Sequence, residues 1–280
     1  MLAHCSPVLV ERIGTASANA AATAVAAALL LTTFLAVAPP ASASTPDAAL
    51  CRVAAHRGNT NVPSTTATEN GIRAMHRAVA AGADILEADA SATADDQMML
   101  MHDATVDRTT NGTGPIRGKT AAQVRALLLD DGSRVPYASQ LLAYAQQADK
   151  TVLLELKAMG GATSWTRITN AITRYGQARV IVQSFKADWL TRMRTLLPTV
   201  RLSLISRTQV PVSTARQIGG FIGEQSIMTD QYIASLDGIP TYVFTVNTSA
   251  GFTRFAKHVD AIITDNPGAY VKFRSTACAA

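Results

Sequence analysis

From residue 52 to residue 264, short apolar runs alternate with stretches whose apolar residues recur at helical spacing. The runs predict strands over Arg52–His56, Ile85–Asp89, Val152–Lys157, Val180–Ser184, Leu202–Ser206, Gln225–Met228, Tyr242–Asn247 and Ala261–Thr264. The intervening stretches predict helices over Glu69–Ala81, Trp165–Tyr175, Ala187–Leu197, Ser213–Ile218, Gln231–Leu236, Ala250–Lys257 and Gly268–Phe273. Strands separated by helices in this number place the chain in the α/β class as a (β/α)8 TIM-type barrel. A doubly wound sheet shares the alternation but needs a glycine-rich loop after the first strand or a clear switch point, and neither is evident.

One apolar run breaks the alternation. Gln97–Met101 is separated from Asp89 only by Ala90–Asp96, whereas a parallel crossover needs about a dozen residues or more. The run must therefore return antiparallel, carrying His102 back to the barrel end that holds Glu87 and Asp89. A small insertion over about 103–150 then follows the second strand. It comprises polar Asp103–Thr120, a helix over Ala121–Leu129, a turn at Asp130-Asp131-Gly132 and a helix over Ser139–Ala148.

The ends of the chain differ from its body. Ala20–Ala38 is uncharged and rich in alanine, and Pro39-Pro40 and Ala41-Ser42-Ala43 follow it. Residues 1–43 read as a secretory signal cleaved near Ala43, leaving 44–280 as the exported barrel domain; a retained anchor is the competing reading. Of the 3 cysteines, Cys5 leaves with the signal. Cys51 and Cys278 form an even pair, read as a disulfide of an oxidising compartment, with two unpaired thiols as the alternative. The net charge of +5 is scattered rather than clustered, so nucleic acid is not an expected partner. After cleavage no stable membrane insertion is expected, and the chain is read as a monomer.

The candidate chemistry sits where the strands end. In Glu87-Ala88-Asp89, alternation sends both carboxylates to the same inward face, and Glu155 joins from the next core strand. Three carboxylates suit a hard divalent cation, Ca²⁺ or Mg²⁺, better than zinc. Lys157 also faces inward, and Arg57 lies just past the first strand; both are suited to a phosphate. Glu69 can orient Arg57 or join the metal ligands. His56 and His102 can flank a phosphodiester as an acid–base pair, in an order the sequence leaves open. Ser184 lacks a histidine–acid context and is read as lining the pocket with Gln183 and Phe185.

At these residues the chain resembles the glycerophosphodiester phosphodiesterase family. The likeness runs through His56-Arg57-Gly58, Glu69-Asn70, Glu87-Ala88-Asp89, His102-Asp103 and the stretch Asp107–Gly114. It continues through Glu155-Leu156-Lys157, Gln183-Ser184-Phe185 and Thr264-Asp265-Asn266-Pro267. The resemblance implies hydrolysis of glycerophosphodiesters to sn-glycerol 3-phosphate and an alcohol. It also implies Glu87, Asp89 and Glu155 on one divalent cation, His56 and His102 as the acid–base pair, and Arg57 and Lys157 on the phosphate. Asp103, Gln183, Phe185 and Phe244 are expected to support the site or line it. Phe244 stands where the family usually has tryptophan, and Gly71 where it has threonine, which bears on substrate preference. A teichoic-acid-like polymer is a possible substrate alongside small diesters. The rival readings are a sphingomyelinase D-like lipid phosphodiesterase and a non-catalytic binder of cell-wall glycerophosphate.

Overall fold

Eight strands run parallel around one barrel in the computed structural model, which describes residues 51–278. They are β1 (Arg52–Ala55), β2 (Ile85–Ala92), β4 (Thr151–Ala158), β5 (Val180–Ser184), β6 (Arg201–Ser206), β7 (Phe221–Glu224), β8 (Thr241–Phe244) and β9 (Ala261–Thr264). The order β1-β9-β8-β7-β6-β5-β4-β2 closes through pairing of β1 with β2. The remaining strand, β3 (Met98–Leu100), pairs antiparallel with β2 (Ala90 opposite Leu100), as the short connection requires. The fold is a (β/α)8 TIM-type barrel. The expected leader over 1–43 lies outside the described residues. Among the described residues no helix is long and apolar enough to cross a membrane.

The helices between strands are α1 (Ile72–Ala80), α4 (Ala162–Tyr175), α5 (Ala187–Leu196), α6 (Val212–Ile218), α7 (Asp230–Ser235), α8 (Ser249–Phe255) and α9 (Pro267–Ala277). The insertion carries α2 (Ala121–Ala126) and α3 (Ala138–Gln147). Several boundaries are dictated locally. Asn266 accepts from the Ala269 N–H and Pro267 occupies the first turn, so α9 starts where the sequence places its cap. Helix α1 starts later than the expected Glu69, because Asn70 takes a left-handed turn (φ 60°) and Gly71 caps the helix. The expected Ala121–Leu129 helix ends at Ala126: Leu128 and Leu129 bridge to Arg134 and Thr110 instead.

One core strand is displaced from its expected position. The run Gln225–Met228 is not a strand; β7 occupies Phe221–Glu224, a stretch bordered and interrupted by glycine. Those glycines serve close packing rather than a loop. A Cβ at Gly220 would lie 2.4 Å from Ser203 Oγ, and one at Gly223 would lie 2.2 Å from Met228 Sδ. Met228, expected in the strand, is instead a buried side chain filling the room Gly223 leaves.

Alternation along each strand divides the core in two. Ala54, Ile85, Leu153, Ile181, Ile205, Ile222, Tyr242, Ala261 and Ile263 fill the barrel interior, while neighbours such as Val53, Leu86, Leu154 and Val182 pack outward against the helices. A separate small core under the insertion joins Met99, Met101, Val106, Ile116, Val124, Leu129 and Val135.

Cys51, immediately before β1, is disulfide-bonded to Cys278 at the end of α9. The guanidinium of Arg274 fastens the same helix to Asp84 and to the Gly82 carbonyl. Cross-linking residues 227 apart removes much of the freedom of the unfolded chain. Reduction is expected to lower the unfolding free energy by about 2–5 kcal/mol, measured by urea unfolding with and without reductant. An unchanged midpoint would contradict this.

Candidate active site at the C-terminal mouth of the barrel

The inner layer of the core ends in a ring of functional side chains, because the period of two that fills the barrel also aims the next inward residue into its mouth. His56 follows Ala54; Glu87 and then Asp89 follow Ile85; Glu155 and then Lys157 follow Leu153. Gln183 and Phe185 follow Ile181, Arg207 follows Ile205, Phe244 follows Tyr242 and Asp265 follows Ile263. One pocket is lined by His56, Arg57, Glu87, His102, Glu155 and Lys157 on one side, with Phe185, Arg207 and Phe244 on the other.

Glu87, Asp89 and Glu155 are buried and each offers a carboxylate oxygen, all within 4.8 Å of one another. Burial pushes the pKa of Glu87 and of Glu155 well above the usual carboxylate range, and the charge on Asp89 adds to both shifts. Three carboxylates this close form a group that could hold a shared hard cation. The protein already positions it. Glu87 accepts from the Arg57 N–H and from Gln183 Nε2, each at 2.8 Å, and Asn70 brackets Asp89 with two bonds of 2.9 Å. Asn70 spends its side chain here rather than on the start of α1, where no side chain caps the helix. The turn that delivers Arg57 needs Gly58: its φ is 92°, and a Cβ there would lie 2.7 Å from the Ala74 backbone.

Each histidine has its own carboxylate. His56 Nδ1 lies 2.7 Å from Asp265 Oδ1, and Asn247 donates to the other Asp265 oxygen at 2.6 Å. His102 Nδ1 lies 2.7 Å from Asp103 Oδ1. The return of β3 places it, since the Met101 N–H donates to the Asp89 carbonyl at 2.9 Å. The two rings titrate in opposite directions. For His56, burial disfavours the charged ring, but the Asp265 hydrogen bond and the field of Glu87 outweigh it and raise the pKa. For His102, burial prevails with help from Arg57 and Lys157, and the pKa falls below the ordinary value.

The cations are held by the acids the sequence supplies nearby. Arg57 Nη1 donates to Glu69 at 3.1 Å, and its Nε lies 3.2 Å from Asp89 without hydrogen-bonding geometry. Lys157 Nζ is 3.2 Å from Glu155. Arg108, from the insertion, makes a two-pronged pair with Glu69 (2.7 Å on each oxygen) and a third bond of 2.7 Å to Asp103. Its guanidinium, then the His102 ring, hold Asp103 well below the usual carboxylate range. Arg108 thus links the carboxylate behind His102 to the carboxylate behind Arg57.

The residues singled out in the sequence therefore converge on one mouth. Glu69 lies behind Arg57, accepting its Nη1 bond, and outside the three-carboxylate group. Ser184 does not line the pocket: it falls on the outward parity of β5, and its hydroxyl bonds to the Leu156 carbonyl at 3.2 Å. Arg207 was not singled out in the sequence, and Asp265, Asn70 and Arg108 stood in the quoted motifs without an assigned partner. Arg207 obeys the same inward parity as the rest, Asp265 included, a signal that would have found it. Arg108 and Asn70 lie within motifs of the resemblance, but nothing local names their partners.

Acids, imidazoles and cations gathered at the C-terminal ends of parallel barrel strands occupy the place where enzymes of this fold carry their active sites. Comparison with known proteins supplies the class: residues 56–269 match the model of the glycerophosphoryl diester phosphodiesterase family. The glycerophosphodiester phosphodiesterase of Caldanaerobacter subterraneus subsp. tengcongensis is 29% identical over 237 residues, covering 77% of this chain and 94% of that protein. The Bacillus subtilis protein YhdW is 31% identical over 244 residues, covering 79% of this chain and 96% of its own. Among solved structures, an Oleispira antarctica phosphodiesterase in complex with sn-glycerol-3-phosphate superposes with a TM-score of 0.73 at 22% identity, covering 81% of this chain and 98% of that one. A glycerophosphodiester phosphodiesterase from Parabacteroides distasonis gives 0.71 at 22%, covering 81% and 98%. The structural likenesses establish the shared fold. The chain belongs to the glycerophosphoryl diester phosphodiesterase family.

Proposed function

We propose that this mouth hydrolyses glycerophosphodiesters to sn-glycerol 3-phosphate and a free alcohol, using one divalent cation and two histidines. The observation that carries the reading is the juxtaposition of three buried carboxylates, within 4.8 Å of one another, with two histidines each backed by its own carboxylate at 2.7 Å. The match of residues 56–269 to the family supports the substrate class. So does the sn-glycerol-3-phosphate bound by the Oleispira enzyme of the same fold.

Glu87, Asp89 and Glu155 fit a hard cation of the Ca²⁺ or Mg²⁺ type, and such an ion supplies positive charge against the non-bridging phosphate oxygens. Arg57 and Lys157 add theirs from the same side. The neutral His102 ring takes the proton of the attacking oxygen, with Asp103 fixing its tautomer. The protonated His56 ring, stabilised by Asp265, gives a proton to the departing alcohol. The protein is read as exported, with its leader removed near Ala43 and the domain acting as a monomer. The Cys51–Cys278 bridge supports export, since such bonds persist in oxidising compartments.

The direct test is release of sn-glycerol 3-phosphate from a panel of glycerophosphodiesters. Absence of release from every member would overturn the reading. The assignment of the histidines has its own test. The base must be neutral, so activity falls as pH drops through the lowered pKa of His102. The acid must be charged, so activity falls as pH rises through the raised pKa of His56. Asp265→Asn removes the hydrogen-bonded carboxylate, lowers the pKa of His56 and should draw the alkaline limb of the kcat/KM profile to lower pH. Movement of the acid limb instead would reverse the two roles.

A further inference from the structure

Arg207 sits one residue beyond β6 and two beyond the interior residue Ile205, so it projects into the same mouth as the proposed catalytic groups. The other two pocket cations are committed: Arg57 to Glu69 and Asp89, and Lys157 to Glu155. Arg207 has no carboxylate within ion-pair distance and no hydrogen-bond acceptor among the described residues; its one recorded contact of this kind is with the Phe185 ring, 5.4 Å from its centroid. Lys157 approaches the same ring at 5.9 Å. Lys157 and Arg207 therefore flank the same aromatic ring in the lining of one pocket, so the cation beyond those proposed to hold the reacting phosphate is Arg207. Phe185 is 41% exposed and is met edge-on by Phe244. The acids lining the pocket, Glu87 and Glu155, both belong to the carboxylate group, and Glu224, which shares the inward parity of Ile222 at the end of β7, makes no ion pair with Arg207.

We infer that Arg207 is an anion subsite for the alcohol half of the diester, selecting substrates whose leaving alcohol carries a second negative group, a phosphate or a carboxylate. The glycerol half carries no second charge, so an anion reaching Arg207 belongs to the alcohol. The unspent guanidinium donors match either group in a two-pronged pair. A quaternary ammonium alcohol is disfavoured at the same place. It would be drawn to an aromatic face, but the face of Phe185 is already approached by two cations, which repel it.

The inference rests on the phosphodiesterase reading, and the test separates the two. Release of sn-glycerol 3-phosphate is followed for glycerophosphoglycerol, for its analogue with a phosphate on the distal hydroxyl, for glycerophosphoglycerate and for glycerophosphocholine. The native enzyme is expected to favour the charged members over the neutral diester by about tenfold in kcat/KM, as one charge-assisted pair supplies, with glycerophosphocholine below both. The phosphate and carboxylate arms show which anion is preferred. In Arg207→Met the charged-to-neutral ratio should fall to about one, Arg207→Lys should keep part of it, and added salt should compress it in the native enzyme. Thermal melts of both variants confirm that this exposed position leaves the fold intact. Equal losses on every substrate would place Arg207 on the reacting phosphate or the glycerol, and an unchanged ratio would reduce it to a cover for Phe185; either result overturns the subsite. No release from any substrate in the native enzyme removes the phosphodiesterase reading itself, and the subsite with it.

Discussion

Replacement of His102 by alanine should lower the rate of sn-glycerol 3-phosphate release by about 10²- to 10⁴-fold, the range a positioned acid or base contributes. The ring is part-exposed at the edge of the mouth, and its hydrogen-bonded carboxylate, Asp103, keeps a second partner in Arg108 when the imidazole is gone. The loss should therefore appear in kcat without a matching loss of stability, which kinetics and a thermal melt on one preparation would show. The same variant separates an enzyme from a binder of glycerophosphate polymer. A binder keeps its affinity when the imidazole is removed and has no turnover to lose. Undiminished turnover in His102→Ala would end the acid–base proposal.

Chelation should act as strongly. Glu87 and Glu155 are buried beside the charge of Asp89, and their raised pKa values record how poorly the protein alone tolerates three such groups together. Excess EDTA is expected to reduce turnover to background, and Ca²⁺ or Mg²⁺ to restore it. The same ion should raise the melting temperature, because it binds only the folded arrangement; an ion at about 100 times its Kd adds about 2.7 kcal/mol. Full activity in excess chelator would remove the cation from the mechanism.

Much of this was legible before any coordinates, and for identifiable reasons. A connection as short as Ala90–Asp96 forces the β2–β3 hairpin, and the hairpin alone brings His102 to the carboxylates. Parity along β2 and β4 aims Glu87, Asp89, Glu155 and Lys157 into one mouth. Strand β7 was misplaced because Gly220 and Gly223 resemble loop glycines, whereas their role is to let Ser203 and Met228 approach. That requirement belongs to the neighbours and leaves no local trace. Partnerships are opaque for a similar reason. His56 and Asp265 are 209 residues apart, and Arg108 and Glu69 are 39 apart, so only barrel closure introduces them.

The mouth also divides by strand. The proposed acid–base and cation-holding groups stand on the contiguous arc β9-β1-β2-β4 and the β3 return beside it, while Phe185, Ile205, Arg207, Ile222 and Phe244 stand on β5 through β8. Gln183 reaches from the second arc to Glu87 of the first. Because the arcs occupy separate stretches of the chain, mutation can remodel one while the other is inherited intact. A scaffold partitioned in this way can diversify what it accepts without having to reinvent how it reacts.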